Sequence, residues 1–115
     1  MHEVGIAQSI LEAGRIEADR LAGARLKRIG VRVGVLAGVD LQALEFALMA
    51  IRAGTDLEEV EIDIQSCPRR NHCATCSIDF ETKLYSEPCP RCGNQQVRLI
   101  GGEELELAFI EVDEP

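Results

Sequence analysis

Two cysteine pairs, Cys73-x2-Cys76 and Cys89-x2-Cys92, stand twelve residues apart and constrain this chain more than any other feature. Each CxxC loop offers two thiols, and four thiolates complete a tetrahedron about one ion, the closed sulfur site that zinc prefers. The second loop, CPRCG, carries the Pro and Gly that help a tight turn aim backbone N–H groups at sulfur. The first, CATCS, lacks that glycine, which predicts a less regular loop. Residues 66–101 hold few apolar side chains, so metal binding must largely drive their folding, with a contribution on the order of 10–16 kcal/mol. A closed four-sulfur site leaves no position open for chemistry, so structural zinc is the leading reading. Iron in a rubredoxin-like electron carrier and a redox dithiol pair are the alternatives. Cys67, outside both loops, reads as a packed small residue, with a redox-sensitive thiol or a swapping zinc ligand as alternatives. His72, just before Cys73, could compete for zinc or serve a transient second metal, although a lone exposed histidine usually ligates nothing.

The remainder of the 115 residues has enough apolar content, 46% of the chain, for one packed core, and an aromatic content of 3% makes that core aliphatic. Residues 6–27 read as a long amphipathic helix with Ala7, Ile10, Leu11, Ala18 and Leu21 on one face. In RIGVRVGV the period changes to two, with Ile29, Val31, Val33 and Val35 apolar, which predicts a half-buried strand. Asp40 then stands where an N-cap belongs, Leu41, Leu44, Leu48 and Ile51 mark a second helix, and Gly54 sits at its C′ position. Val60, Ile62 and Ile64 alternate in a second strand, and ELELAFIEV forms the last one, with a bulge expected near Phe109–Ile110. The predicted fold is α+β: two helices packed on a small, mainly antiparallel three-stranded sheet, with an inserted zinc-ribbon-like subdomain built on the four paired cysteines. Residues 1–65 plus 102–115 would form the main domain and 66–101 the zinc-binding one.

The net charge of −8 argues against nucleic acid as the main partner, because phosphate binding needs clustered Lys and Arg. No apolar run approaches the ~20 residues of a membrane span, and the amino end lacks a basic segment followed by an apolar one. A soluble, cytoplasmic protein is expected. Five cysteines also suit metal ligands or free thiols better than a secreted disulfide framework. No nucleophile–base pair is visible, and the glycines at 30, 34 and 38 lie in a strand pattern and form no phosphate-binding loop. Nothing here reads as an enzyme.

The first three residues are Met1-His2-Glu3. An α-amine titrates near ~7.7–8.0 and imidazole near ~6.5, so both can release a proton to a metal at neutral pH. The Met1 amine, the His2 ring and deprotonated backbone nitrogens would make a nitrogen-rich set that favours Ni(II) or Cu(II) over zinc, with Glu3 as a further donor. Two helices separated by one strand point the same way if both pack on the sheet. That places their N-termini together and brings Asp40 toward Met1-His2-Glu3. On spacing alone Asp40 is a plain N-cap and Glu3 a favourable first-turn acid.

Taken together, MHE at the start, LAGVDLQALEFAL in the middle and CATC…CPRCG before an acidic final strand resemble the HypA family of nickel metallochaperones, over nearly the whole chain. The resemblance implies delivery of nickel during maturation of [NiFe] hydrogenase, alongside the GTPase HypB and onto the hydrogenase large-subunit precursor, with urease a second client for some members. It implies nickel as transient cargo at Met1, His2, Glu3 and Asp40, and structural zinc at Cys73, Cys76, Cys89 and Cys92. The chain departs from the family in Gly5, where serine is usual and caps a helix better, in Leu41, where proline would preset the helix start, and in the extra Cys67. The competing reading is an acidic zinc-ribbon interaction module without nickel delivery, weakened by the charge and by the absence of aromatic stacking positions. A monomer or weak homodimer is expected, since an exposed edge strand could dimerise.

Overall fold

The computed structural model describes residues 3–83 and 87–113. The elements run α1 (Glu3–Asp19), β1 (Arg25–Gly34), α2 (Leu41–Arg52), β2 (Glu61–Cys67), β3 (Arg69–Cys73), β4 (Ile78–Thr82), β5 (Arg98–Gly101) and β6 (Leu105–Asp113). They form two three-stranded sheets, ordered β2-β1-β6 and β4-β3-β5. The radius of gyration is 17.7 Å and the extents are 53 × 28 × 15 Å. A single compact body of this length would have a radius near ~13 Å, so the two sheets lie end to end rather than stacked.

The α+β class holds, with the second sheet inserted between β2 and β6. Strand sense in the first sheet is mixed: β1 pairs antiparallel with β6 and parallel with β2. The parallel pair follows from α2, because a helical crossover returns the chain to the end from which β1 started. The core lies between this sheet and the helices. Ile29, Val31 and Val33 of β1 meet Ala7, Ile10 and Leu11 of α1 and Leu44, Ala47 and Leu48 of α2, all buried. The opposite sheet face is polar and cross-paired. Arg28 reaches Glu61 at 2.9 Å and Arg32 reaches Glu106 at 3.0 Å, each directly opposite in register.

Three local expectations change. The first helix ends at Asp19 rather than extending to residue 27, and Leu21 is exposed. Gly23 takes a positive φ of 75° in the turn that follows, and Arg25–Lys27 join β1 instead. Gly5 lies inside the first turns of α1 and is not its cap. The bulge in β6 falls one residue earlier than expected: Gly30 and Val31 oppose Phe109 and Leu107, leaving Ala108 unpaired.

α2 forms where the sequence predicts it, with Asp40 as N-cap and Gly54 at φ 75° just beyond Ala53. Arg52 then fixes the following turn by donating to the carbonyls of Leu48, Glu58 and Val60.

The sheets join at the end of β1. The Gly34 N–H donates to Glu104 O at 2.7 Å, Val35 N–H to Cys67 O at 3.0 Å and Leu36 N–H to Gly102 O at 2.7 Å. Both strands entering and leaving the insert are therefore clasped to the same three residues. Gly34 is required for that approach, since a Cβ there would sit 2.0 Å from the Gly102 carbonyl oxygen.

Candidate metal centre

The four knuckle cysteines converge at one end of the β4-β3-β5 sheet. Cys73 ends β3, Cys76 follows in the turn to β4, and Cys89 and Cys92 occupy the second turn. Their sulfurs all lie within 4.8 Å of one another, and Cys73 Sγ is 3.6 Å from Cys92 Sγ. Tetrahedral zinc with bonds of ~2.3 Å needs sulfurs about 3.8 Å apart, so the set can hold a metal such as zinc. All four are free thiols, and Cys73 and Cys89 are buried.

Backbone geometry explains how two short turns present four sulfurs. In the second turn Gly93 N–H donates to Cys89 O at 2.8 Å and Cys89 N–H to Asn94 O at 2.9 Å, with Gly93 at φ 76°. In the first turn Ser77 takes φ 55°, the single non-glycine positive φ among the described residues. The glycine-free CATCS loop places a serine in the left-handed region that Gly93 takes after the second cysteine of CPRCG, at a conformational cost of roughly 1–2 kcal/mol. Asn94 Nδ2 also donates to Thr75 Oγ1 at 3.1 Å, tying one turn to the other.

The thiols are electrostatically unequal. Burial pushes Cys89 up, but donation by the Cys92 and Arg91 N–H groups and by the neighbouring thiols outweighs it and brings Cys89 down to about 7. Cys76, hydrogen-bonded to Cys92 and partly desolvated, is pushed up to about 12. Without a cation, four sulfurs this close cannot all ionise. A divalent ion removes that conflict.

Cys67 and His72 do not join the cluster among the described residues. Cys67 is half-buried at the junction, where burial and then the Glu104 charge push its thiol up, which matches a packed, unreactive residue. His72 Nδ1 is 2.7 Å from Asp79 Oδ1 across the β3–β4 pair, so its ring is already engaged.

Of the amino-terminal candidates, Met1 and His2 lie outside the described residues. Glu3 opens α1, and its Oε2 accepts from the Asp40 N–H at 3.3 Å. The two helix N-termini are therefore adjacent, as the parallel arrangement requires. Asp40 Oδ1 accepts from Ala43 N–H at 3.2 Å, the N-cap bond. The cap and the neighbour of Glu3 are thus the same residue. The hydrogen bond between Glu3 and the cap backbone is the contact that sequence spacing could not foresee, because it depends on side-chain reach across two helices.

The whole arrangement has known counterparts. The family model described as "Hydrogenase/urease nickel incorporation, metallochaperone, hypA" matches residues 1–112. The hydrogenase maturation factor HypA of Geobacter sulfurreducens is 36% identical over 113 residues, covering 98% of this chain and all of the relative. HypA 2 of Bradyrhizobium diazoefficiens is 34% identical with the same coverage. The solution structure of the nickel metallochaperone HypA from Helicobacter pylori superposes with a TM-score of 0.67 at 20% identity, covering both chains in full. A second HypA solution structure gives 0.71 at 21% identity over all of this chain and 98% of the other; at such identities both show the shared fold. With a family match spanning residues 1–112, this chain belongs to the HypA family of nickel-incorporation metallochaperones, hydrogenase maturation factors rather than enzymes.

Proposed function

We propose that the chain holds Ni(II) at its free amino end, through the Met1 amine, the His2 imidazole, Glu3 and Asp40, and passes it to a [NiFe] hydrogenase large-subunit precursor. The observation that carries this reading is the apposition of two helix starts, with the Glu3 carboxylate 3.3 Å from the Asp40 backbone nitrogen. A pair of helix N-termini concentrates positive partial charge and would repel a cation. Two carboxylates there offset that charge, and the amine and imidazole of the two preceding residues add nitrogen donors that suit nickel. An ion held near the chain's end by few fixed groups is also one that an acceptor can remove.

In the same reading, Cys73, Cys76, Cys89 and Cys92 hold zinc for structure, so the two metals are sorted by thiolate against nitrogen and oxygen donors. Residues 1–65 with 102–115 act as the nickel unit and 66–101 as the zinc unit. Energy for the transfer comes from a GTPase partner of the HypB kind, since this chain has no phosphate-binding loop. Urease is the second client that the family's description allows. Delivery takes place in the cytoplasm, and no helix among the described residues is long and apolar enough to cross a membrane.

The test is a calorimetric nickel titration of three proteins: the native chain, the chain extended by a few residues before Met1, and His2→Ala. The expected result is one nickel per native chain and loss of that binding in both altered proteins, with zinc content unchanged. Equal nickel affinity in all three would sink the amino-terminal site.

A further inference from the structure

We propose that the outward face of α2, with Val4 of α1 beside it, is where the ion-accepting protein docks, through an apolar side chain bordered by Lys or Arg. The inference rests on the nickel reading above and names the surface that serves it. Of the twelve residues of α2, only Gln42, Glu45 and Arg52 are polar. A helix apolar nearly all round belongs in a buried position. Yet α2 buries only Leu44, Ala47 and Leu48 on its inner side and leaves Phe46 67% and Met49 57% exposed. Phe46 is one of three phenylalanines in the chain, and Val4, 56% exposed, extends the patch onto α1.

The patch is continuous with the proposed cargo site. A groove of about 400 Å³ between the helices is lined by Glu3, Val4, Ala43, Phe46, Ala50 and Ile51. A side chain seated there would lie against Glu3, one residue from the end that carries the ion. Contiguous exposed apolar surface with a polar rim is the usual mark of a protein-binding site.

Charge identifies the occupant. Glu3, Asp40 and Glu45 border the patch, and none of them makes an ion pair among the described residues. The two cations nearest α2's end are committed: Arg52 to three carbonyls and Arg15 to Asp56. Glu45 lies outside the proposed nickel site and stays charged when Glu3 and Asp40 hold the ion; such a rim disfavours a second copy of the same face and favours a basic one.

The purified, nickel-free hydrogenase large-subunit precursor is the probe, titrated against the full chain with its native amino end. Phe46→Ser and Met49→Ser should each weaken binding by at least about tenfold. Ile16→Ser, an equally apolar exposed site about 18 Å further along α1, should leave it unchanged. Raising the salt concentration should weaken the wild-type complex. All three variants should keep the native nickel stoichiometry, so loss of nickel binding counts against the metal site and loss of docking against this surface. The proposal is overturned if Phe46→Ser binds the precursor as tightly as wild type, or if the wild type shows no binding. It is equally overturned if the substitution alters only self-association, or only binding of the GTPase.

Discussion

The two sheets have the same number of strands and opposite sources of stability. In β2-β1-β6, eleven buried aliphatic residues from the sheet, both helices and the turn after α2 form one cluster. In β4-β3-β5, the buried side chains among the described residues are Cys73, Cys89 and a hydrogen-bonded pair, Asn71 Nδ2 to Thr82 Oγ1 at 3.0 Å. Ile78, Phe80 and Leu99 of the insert are only half-buried. One unit is held by burial of apolar surface, and in the proposed reading the other is held by ligation, so the two should fail independently under different insults.

The largest effect should come from removing a ligand. Cys89→Ser, or chelation of the wild type, should unfold residues 69–101 while the helical unit keeps its fold, because structural zinc contributes on the order of 10–16 kcal/mol to such small domains. Amide spectra would show it directly: insert signals collapse to the centre while those of Ile29, Val31 and Leu44 stay dispersed. Persistence of a dispersed insert without metal would break the distinction. The reciprocal change, Leu44→Ala at a fully buried position, should cost roughly 2–5 kcal/mol in urea unfolding of the helical unit. Zinc content should remain one per chain.

A smaller effect sharpens the account of the first cysteine turn. Ser77→Gly removes the strain of a left-handed serine and should raise the stability of the metal-loaded insert by about 0.4–1 kcal/mol, seen as a higher chelator concentration at half-release. Smallest of all is the surface pair Arg15–Asp56 at 2.8 Å. Its hydrogen bond to Arg15 holds the Asp56 carboxyl below its usual 3.8. The pair's contribution is therefore complete above that value and drains away as pH falls through the lowered one. Asp56→Asn should flatten the stability profile of the helical unit only below about pH 4, leaving neutral-pH melting nearly unchanged.

Much of this division was legible in the residues. The period-two run around Ile29–Val33 and the capped, regularly spaced α2 both stand where pattern places them, because each element's apolar face is buried by the other. The cysteine spacing likewise announced the cluster, since ligation leaves little freedom in loop length. The missed features are those that depend on distant partners. Leu21 keeps helical spacing with Ala18, but Gly23 turns the chain so that Arg25 can pair with Asp113. Ser77 accepts a conformation that its own preference disfavours because its turn must mirror that around Gly93. The parallel β1–β2 pair needed a count of the crossover, not of alternation. At the amino end, pattern placed Asp40 near the first helix, and the structure adds that Glu3 accepts from its backbone.

The most direct test of the central claim, two metals held at separate sites by different donor sets, is a nickel titration of the zinc-loaded native chain followed residue by residue through amide resonances. The account predicts that the first equivalent perturbs Glu3, Val4 and the Asp40–Ala43 turn, while Cys76, Cys92 and Asn94 stay unmoved and zinc is retained. Early changes at the cysteine turns with release of zinc, and a silent amino end, would contradict it.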